Sequence, residues 1–349
     1  MRRLGGLVCV LAALVSCSAA PGAPTSGGNT TGARPPDGFP PEEGWPAGEL
    51  PPGIDRTALD RAVDTAFAGG AAKRVRAVVI IHGGRLVYER YSPNPADGPD
   101  VSMPSYSVAK SITSAAVGIL VGQHKLTVTD PARVPEWAAP GDLRAKITLD
   151  DLLRMSSGLD WHEDTDLAAA DGSRDAAHYV AERQLAHPPG GTFNYCTGCT
   201  FIVDRAMADA VGGSAAFTTF INTELFGRLG MSVTLSYDDK GTWLGGSKAY
   251  ATARDYARFG LLYLRDGTWA GQRVLPEGWV EYSRTPSRSN PGYGAGWWLD
   301  AGRPGVFLAL GYNGQTIGVD RAHDLTYVIT ATDGGLSPPV SAAILSAFG

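Results

Sequence analysis

The 349-residue sequence lacks the short motifs that announce several kinds of chemistry. It has no His-Glu-x-x-His, so the helical zinc-peptidase arrangement is excluded. No glycine-rich loop ending in Gly-Lys-Ser or Gly-Lys-Thr is present to cradle a phosphate. Gly245-Gly246-Ser247-Lys248-Ala249 comes nearest to a Gly-x-Ser-x-Gly elbow but lacks the final glycine. Gly292-Tyr293-Gly294-Ala295-Gly296 is not followed by a helical pattern, which argues against a dinucleotide loop. Long runs of lysine or arginine are also missing and the net charge is −5, so nothing points to a nucleic-acid partner. His162-Glu163-Asp164-Thr165-Asp166 offers metal-capable groups, but consecutive residues do not share a face. The stretch reads as a solvated acidic loop, and no metal or organic cofactor is implied.

Cysteine is scarce, at four residues. Cys9 and Cys17 belong to the N-terminal segment, which leaves Cys196 and Cys199 as a C-x-x-C pair. A zinc site would need further ligands at matching spacing, and none accompanies them. A local disulfide and two free thiols are both open, with the disulfide favoured in an oxidising compartment.

What is present begins with a targeting pattern. Arg2 and Arg3 precede an apolar run, Leu4 to Leu14, that is short for a membrane span. Leu14-Val15-Ser16-Cys17 closes the run and resembles a bacterial lipoprotein signal, with Cys17 as the lipid-bearing first residue of the mature chain. Plain secretion, with cleavage after Ser18-Ala19-Ala20, is the alternative. Either reading places the protein outside the cytoplasm, and the first adds a membrane anchor. The expected organisation is a signal over 1–16, a lipidated cysteine and flexible Pro/Gly/Ser/Thr-rich linker over 17–53, and one domain over 54–349.

Within the domain, Asp55 to Phe67 has helical periodicity. Val75 to His82 and Leu86 to Tyr91, joined across Gly83-Gly84, read as a β-hairpin. Ser107 to Val121 reads as a helix apolar nearly all round, hence buried at the centre of a domain. Leu149 to Met155 is a short amphipathic helix, and Asp160 to Ser173 an acidic irregular loop. Helices are expected over Phe201 to Val211, Ala215 to Leu225 and Tyr250 to Leu264. Four short strands follow, Gly296 to Leu299, Val306 to Leu310, Thr316 to Asp320 and Leu325 to Thr330, then a closing helix from Pro339 to Phe348. Strands at both chain ends with helices between predict an α+β fold. Its antiparallel sheet would be built from both termini, with a mainly helical lobe inserted over roughly 126–240.

The chemistry centres on Ser107-Val108-Ala109-Lys110. On a helix, residues three apart share a face with Cβ atoms about 5–6 Å apart. A serine at the mouth of a buried helix, with an amine one turn deeper, is a nucleophile with a proton carrier. A lysine enclosed there tends to lose its charge, whereas a lysine snorkelling from a core helix would keep it.

Ser-x-x-Lys is a signature of class A β-lactamases and penicillin-binding proteins. Further blocks extend the match: Tyr106 to Ser111, Leu152 to Trp161, and Ala251 to Gly260. Together they resemble the class C-like branch of the serine β-lactamase and penicillin-binding-protein superfamily. That branch includes class C β-lactamases, family VIII-type esterases and 6-aminohexanoate-dimer hydrolase. The resemblance implies a β-lactamase/transpeptidase-like fold. It places the Tyr-x-Asn motif at Tyr195-Cys196-Thr197 and the Lys-Thr-Gly-like strand motif at Tyr312-Asn313-Gly314. Tyr195 would then move protons with Lys110, its phenol made easier to ionise by the neighbouring ammonium. The backbone N–H groups of Ser107 and Gln315 would form an oxyanion hole.

Two departures from the pattern matter. Thr197 stands where the asparagine amide is expected, and Tyr312 where a lysine would greet a substrate carboxylate. Both point away from β-lactams and wall peptides and towards a small neutral ester or amide. Tyr312, Asn313, Gly314, Thr197, Trp161 and Trp243 are the expected substrate-contacting residues; Trp297 and Trp298 are further candidates for an apolar pocket, with core packing the favoured role for each tryptophan taken alone. The rival activities are a β-lactamase, a D,D-peptidase, and an inactive lipoprotein that holds a wall peptide.

Overall fold

The computed structural model describes residues 44–69, 74–332 and 339–349. The signal, Cys17 and most of the proposed linker lie outside the described residues. The described end of that linker is not free chain. Gly48 N donates to Leu86 O and Leu86 N to Pro46 O, while Trp45 and Leu50 pack against the core. The domain therefore begins before residue 54, because this stretch carries apolar anchors and a bridge to an edge strand.

Helix α1 (Arg56–Phe67) is capped by Asp55, whose carboxylate accepts from Ala58 N at 3.0 Å. Strands β1 (Arg74–His82) and β2 (Arg85–Tyr91) follow, joined by Gly83 and Gly84, both at the positive φ that a two-residue hairpin turn requires. A short strand β3 (Met103–Pro104) and a 3₁₀ turn lead into α2 (Ala109–Gly122). The helical stretch comprises α3 (Leu149–Leu153), α4 (Glu163–Asp171), α5 (Ala176–Ala181), α6 (Thr197–Val211), α7 (Ser214–Ile221) and α8 (Gly227–Leu229). Strands β4 (Thr234–Leu235) and β5 (Ala249–Ala251) join β3 in a small sheet. Helix α9 (Ala253–Leu264), hairpin β6 (Thr268–Trp269) and β7 (Gln272–Arg273), and α10 (Trp279–Arg284) come next. The chain closes with β8 (Trp298–Leu299), β9 (Val306–Leu310), β10 (Thr316–Asp320), β11 (Leu325–Thr332) and α11 (Pro339–Phe348).

The main sheet has the order β2-β1-β11-β10-β9-β8, antiparallel throughout. First and last strands thus lie side by side at its centre, as the α+β reading requires. In β1, Ala77, Val79 and Ile81 face the large core, while Val78 and Ile80 face a second cluster shared with α1 and α11. A strand covered on both faces must be apolar at successive positions, and this one is. The central helix α2 buries every residue from Ala109 to Leu120.

Two expectations need correction. Residues 163–171 form α4 rather than a loop. The acidic residues that suggested a solvated loop occupy its first turn, where they complement the helix dipole. Tyr250 lies on β5, and the helix expected from there starts at Ala253, where Thr252 and Asp255 form a capping box.

Candidate active site

The chain before Ser107 is held rigidly. Ser105 N donates to Ala249 O at 2.7 Å and Ala249 N to Ser105 Oγ at 3.1 Å, which ties this strand end to β5. Tyr106 then takes φ +43°, a strained backbone for a residue with a side chain, and turns the chain into α2. Ser107 N–H sits in the first turn, where no helical carbonyl serves it. The block Ala251 to Gly260 supports this corner, since Tyr256 OH donates to Met103 O at 2.8 Å.

Lys110 is 2% exposed and its Nζ lies 2.9 Å from Ser107 Oγ, 2.8 Å from Thr197 Oγ1 and 2.7 Å from Gly246 O. Burial pushes its pKa down to about 8, although Glu163, Asp204 and Asp171 pull the other way. The enclosed reading of this lysine therefore holds, and the snorkelling one does not. Gly246 is a glycine for steric reasons: a Cβ there would fall 2.7 Å from Thr197 Cγ2 and 2.8 Å from its carbonyl.

Tyr195 precedes α6, and its ring lies 4.8 Å from Lys110 Nζ. Trp298 stacks on it at 5.6 Å, and Tyr293 meets it edge-on at 6.2 Å. Its phenol is not made easier to ionise. Burial raises its pKa, and a hydrogen bond with Ser107 offsets only part of that rise. Dehydration outweighs that bond, so the phenol stays protonated. The block Leu152 to Trp161 buttresses this segment. Met155 O accepts from Asn194 N at 2.8 Å and Met155 Sδ from Cys196 N at 3.3 Å. Cys196 and Cys199 are joined by a disulfide across the first turn of α6.

The third wall is the turn from Gly311 to Gln315. Asn313 Nδ2 donates to Tyr106 OH at 3.1 Å, and the Tyr312 ring lies 6.3 Å from that of Tyr106. A Cβ at Gly311 would meet Ser105 O at 2.7 Å, so the turn lies directly against the chain entering α2. Gln315 fixes it through its side chain, which accepts from Asn313 N at 3.1 Å and donates to Ala331 O at 2.8 Å. The Gln315 backbone N–H has no acceptor among the described residues.

Thr197, Tyr195, Ser107 and Lys110 thus converge, with Tyr312, Asn313 and Gly314 beside them. The two tryptophans do not line the opening. Trp243 is 1% exposed, stacks on Phe217 and donates to Lys248 O at 2.9 Å. Trp161 is 2% exposed and donates to Glu163 Oε2 at 2.6 Å. Both are core residues, because each indole is enclosed and its N–H already has an acceptor. Trp298, against Tyr195, is the tryptophan at the site.

Sequence reasoning missed two participants. Gly246 contributes only a carbonyl, which no side-chain pattern reveals. Glu163 accepts from Thr197 N at 2.9 Å and forms a short hydrogen bond with the Thr197 hydroxyl. Among the described residues no cluster of metal-ligating side chains occurs.

Comparison with known proteins is consistent with this geometry. The sequence model of one family, beta-lactamase, matches residues 59–347. The 6-aminohexanoate-dimer hydrolase of Paenarthrobacter ureafaciens is 26% identical over 284 residues, which span 72% of this chain and 71% of that one. A provisionally named 6-aminohexanoate-dimer hydrolase from Bacillus anthracis superposes with a TM-score of 0.73 at 21% identity, covering 89% of this chain and 88% of that one. A family VIII carboxylesterase gives 0.65 at 14% identity, covering 86% and 98%.

Proposed function

The chain belongs to the beta-lactamase family and is a serine hydrolase of that family, and we propose that it hydrolyses a small, uncharged ester or amide through an acyl-enzyme on Ser107. The observation that carries the reading is the 2.9 Å approach of the buried Lys110 Nζ to the half-buried Ser107 Oγ. The neutral amine accepts the serine proton as Ser107 Oγ attacks the carbonyl carbon. The N–H groups of Ser107 and Gln315 hold the resulting oxyanion. Tyr195, a neutral phenol, donates its proton to the departing alkoxide or amine and regains one from Lys110. A water molecule then repeats the sequence on the acyl-enzyme, giving the acid and free Ser107.

The substrate class rests on the mouth of the site. Tyr312 stands 72% exposed where a family lysine would meet a carboxylate, and Tyr106 and Trp298 add aromatic surface. Of the relatives' names, carboxylesterase suits that surface, whereas a 6-aminohexanoate dimer carries a free carboxylate and an ammonium and belongs in the test as the charged amide. A panel of short-chain esters, linear amides and nitrocefin tests the proposal. Turnover of esters or amides is expected, with kcat/KM rising through about pH 8 as Lys110 loses its proton. Faster turnover of nitrocefin than of any ester or amide would install the β-lactamase reading instead. We further propose the lipid anchor on Cys17, from the sequence of residues 1–17. Loss of acyl-chain incorporation in Cys17→Ala tests it.

A further inference from the structure

Glu163 belongs to none of the sequence blocks that define the site, yet it reaches the site's base through one intervening hydroxyl. Its Oε2 accepts two N–H donors, Thr197 N at 2.9 Å and Trp161 Nε1 at 2.6 Å. Its Oε1 faces the Thr197 hydroxyl in a short hydrogen bond, and Thr197 Oγ1 lies 2.8 Å from Lys110 Nζ.

Counting hydrogens shows what this does. A carboxylate only accepts, so the single Thr197 hydroxyl hydrogen points to Glu163. The Thr197 oxygen must then accept from Lys110, and Gly246 O can do nothing else. The neutral amine has two hydrogens and one lone pair. With both hydrogens committed to Thr197 and Gly246, the lone pair faces Ser107 Oγ, the one partner that has a proton to give. We infer that Glu163 is a positioning residue that, through Thr197, aims the lone pair of Lys110 at Ser107. The inference rests on the reading of Ser107 as the nucleophile.

The other charged or titratable groups around Lys110 do not share this link. Asp171 pairs with Lys248 at 3.2 Å, Asp204 accepts from Gly245 N and Thr113, and Tyr195 presents its ring. Asp204 is itself so deeply buried that its pKa lies well above the ordinary carboxyl value.

Glu163→Gln tests the polarity without changing the shape. The amide oxygen can keep the two N–H donors, which leaves the amide NH₂ facing Thr197 Oγ1. The Thr197 hydrogen is then turned towards Lys110, where it occupies the lone pair. Acylation by a serine-reactive phosphonate and kcat/KM for an ester should fall by roughly tenfold to a hundredfold, below the full loss of a general base because Lys110 itself is retained. Melting temperature and final labelling stoichiometry should stay unchanged. The pH at which the rate rises should move below its wild-type position, since a negative charge that favours the ammonium has gone. The double variant Glu163→Gln/Thr197→Val removes the misdirected hydroxyl and should recover part of the lost rate. A purely structural role would give no such recovery. Wild-type rate and pH profile in Glu163→Gln, or a double variant no faster than the single one, would overturn the inference. Failure of the unmodified protein to be labelled at all would instead overturn the Ser107 reading.

Discussion

Lys110 and Tyr312 stand at opposite extremes of one site. The lysine is 2% exposed with a partner at each of its three hydrogen-bonding positions, and the tyrosine is 72% exposed on a turn beside one aromatic neighbour. The floor around Lys110 is a closed hydrogen-bond network in which deleting one partner leaves a buried group unpaired, at a cost of about 1–3 kcal/mol. The rim around Tyr312 is open surface in which a side chain can change without disturbing the chemistry below. In the proposed mechanism proton transfer would belong to the floor and discrimination among acyl groups to the rim.

The largest expected effect breaks the floor. Ser107→Ala should lower ester hydrolysis by about a thousandfold or more and abolish phosphonate labelling, with the fold intact by circular dichroism. Residual labelling at full stoichiometry would place the nucleophile elsewhere. The lysine should also leave a signature in stability. Its folded pKa of about 8 lies below the ordinary value of about 10.4, so between those limits the unfolded chain holds a proton that the folded chain has released. Folding stability contributed by this group therefore rises with pH across that window and falls as pH drops towards 8, by about 3 kcal/mol in all. Denaturation of wild type and Lys110→Met at both ends of the window should show that difference in pH dependence. Parallel curves would show that the lysine is not held near neutrality. Tyr195→Phe comes next, with a loss of about a hundredfold for amides, whose amine must be protonated to leave. A p-nitrophenyl ester, whose leaving group needs no proton, should lose far less; equal losses would make Tyr195 a packing residue.

The same contrast explains what the sequence disclosed. The β1–β2 hairpin was legible because Gly83-Gly84 follows a β-branched run and precedes a second strand-like one, and α2 because its apolar residues surround it. The approach of Ser107 to Lys110 was legible because the two lie three residues apart across the 3₁₀ turn and the first turn of α2. The link from Glu163 to Thr197 was not, because it spans 34 residues and joins a helix with almost no apolar face. Of α4 only Ala170 is buried, so no hydrophobic periodicity marks it. Strands β3, β4 and β5 have two or three residues each, too few for alternation to register. Trp161 and Trp243 were misplaced for a related reason: composition says that an indole will be buried, not which cluster takes it.

The smallest predicted effect tests the rim alone. Tyr312→Lys restores the cation that the family pattern places there, on a turn whose shape is set by Gln315 and Asn313 rather than by residue 312. An exposed charge pair is worth at most about 1 kcal/mol, so the gain for a carboxylate-bearing ester over its neutral counterpart should be about fivefold in kcat/KM. Such a pair is screened by salt, and raising ionic strength towards 1 M, where the Debye length is about 3 Å, should erase most of the gain. The neutral substrate should keep its wild-type kcat, because Ser107, Lys110, Thr197 and Glu163 are untouched. A fall in that kcat would show that the turn carrying Tyr312 also sets the Gln315 N–H, and that rim and floor are one mechanical unit. An unchanged preference at low salt would mean that the substrate's acyl group does not reach residue 312, and selectivity would then be sought at Trp298.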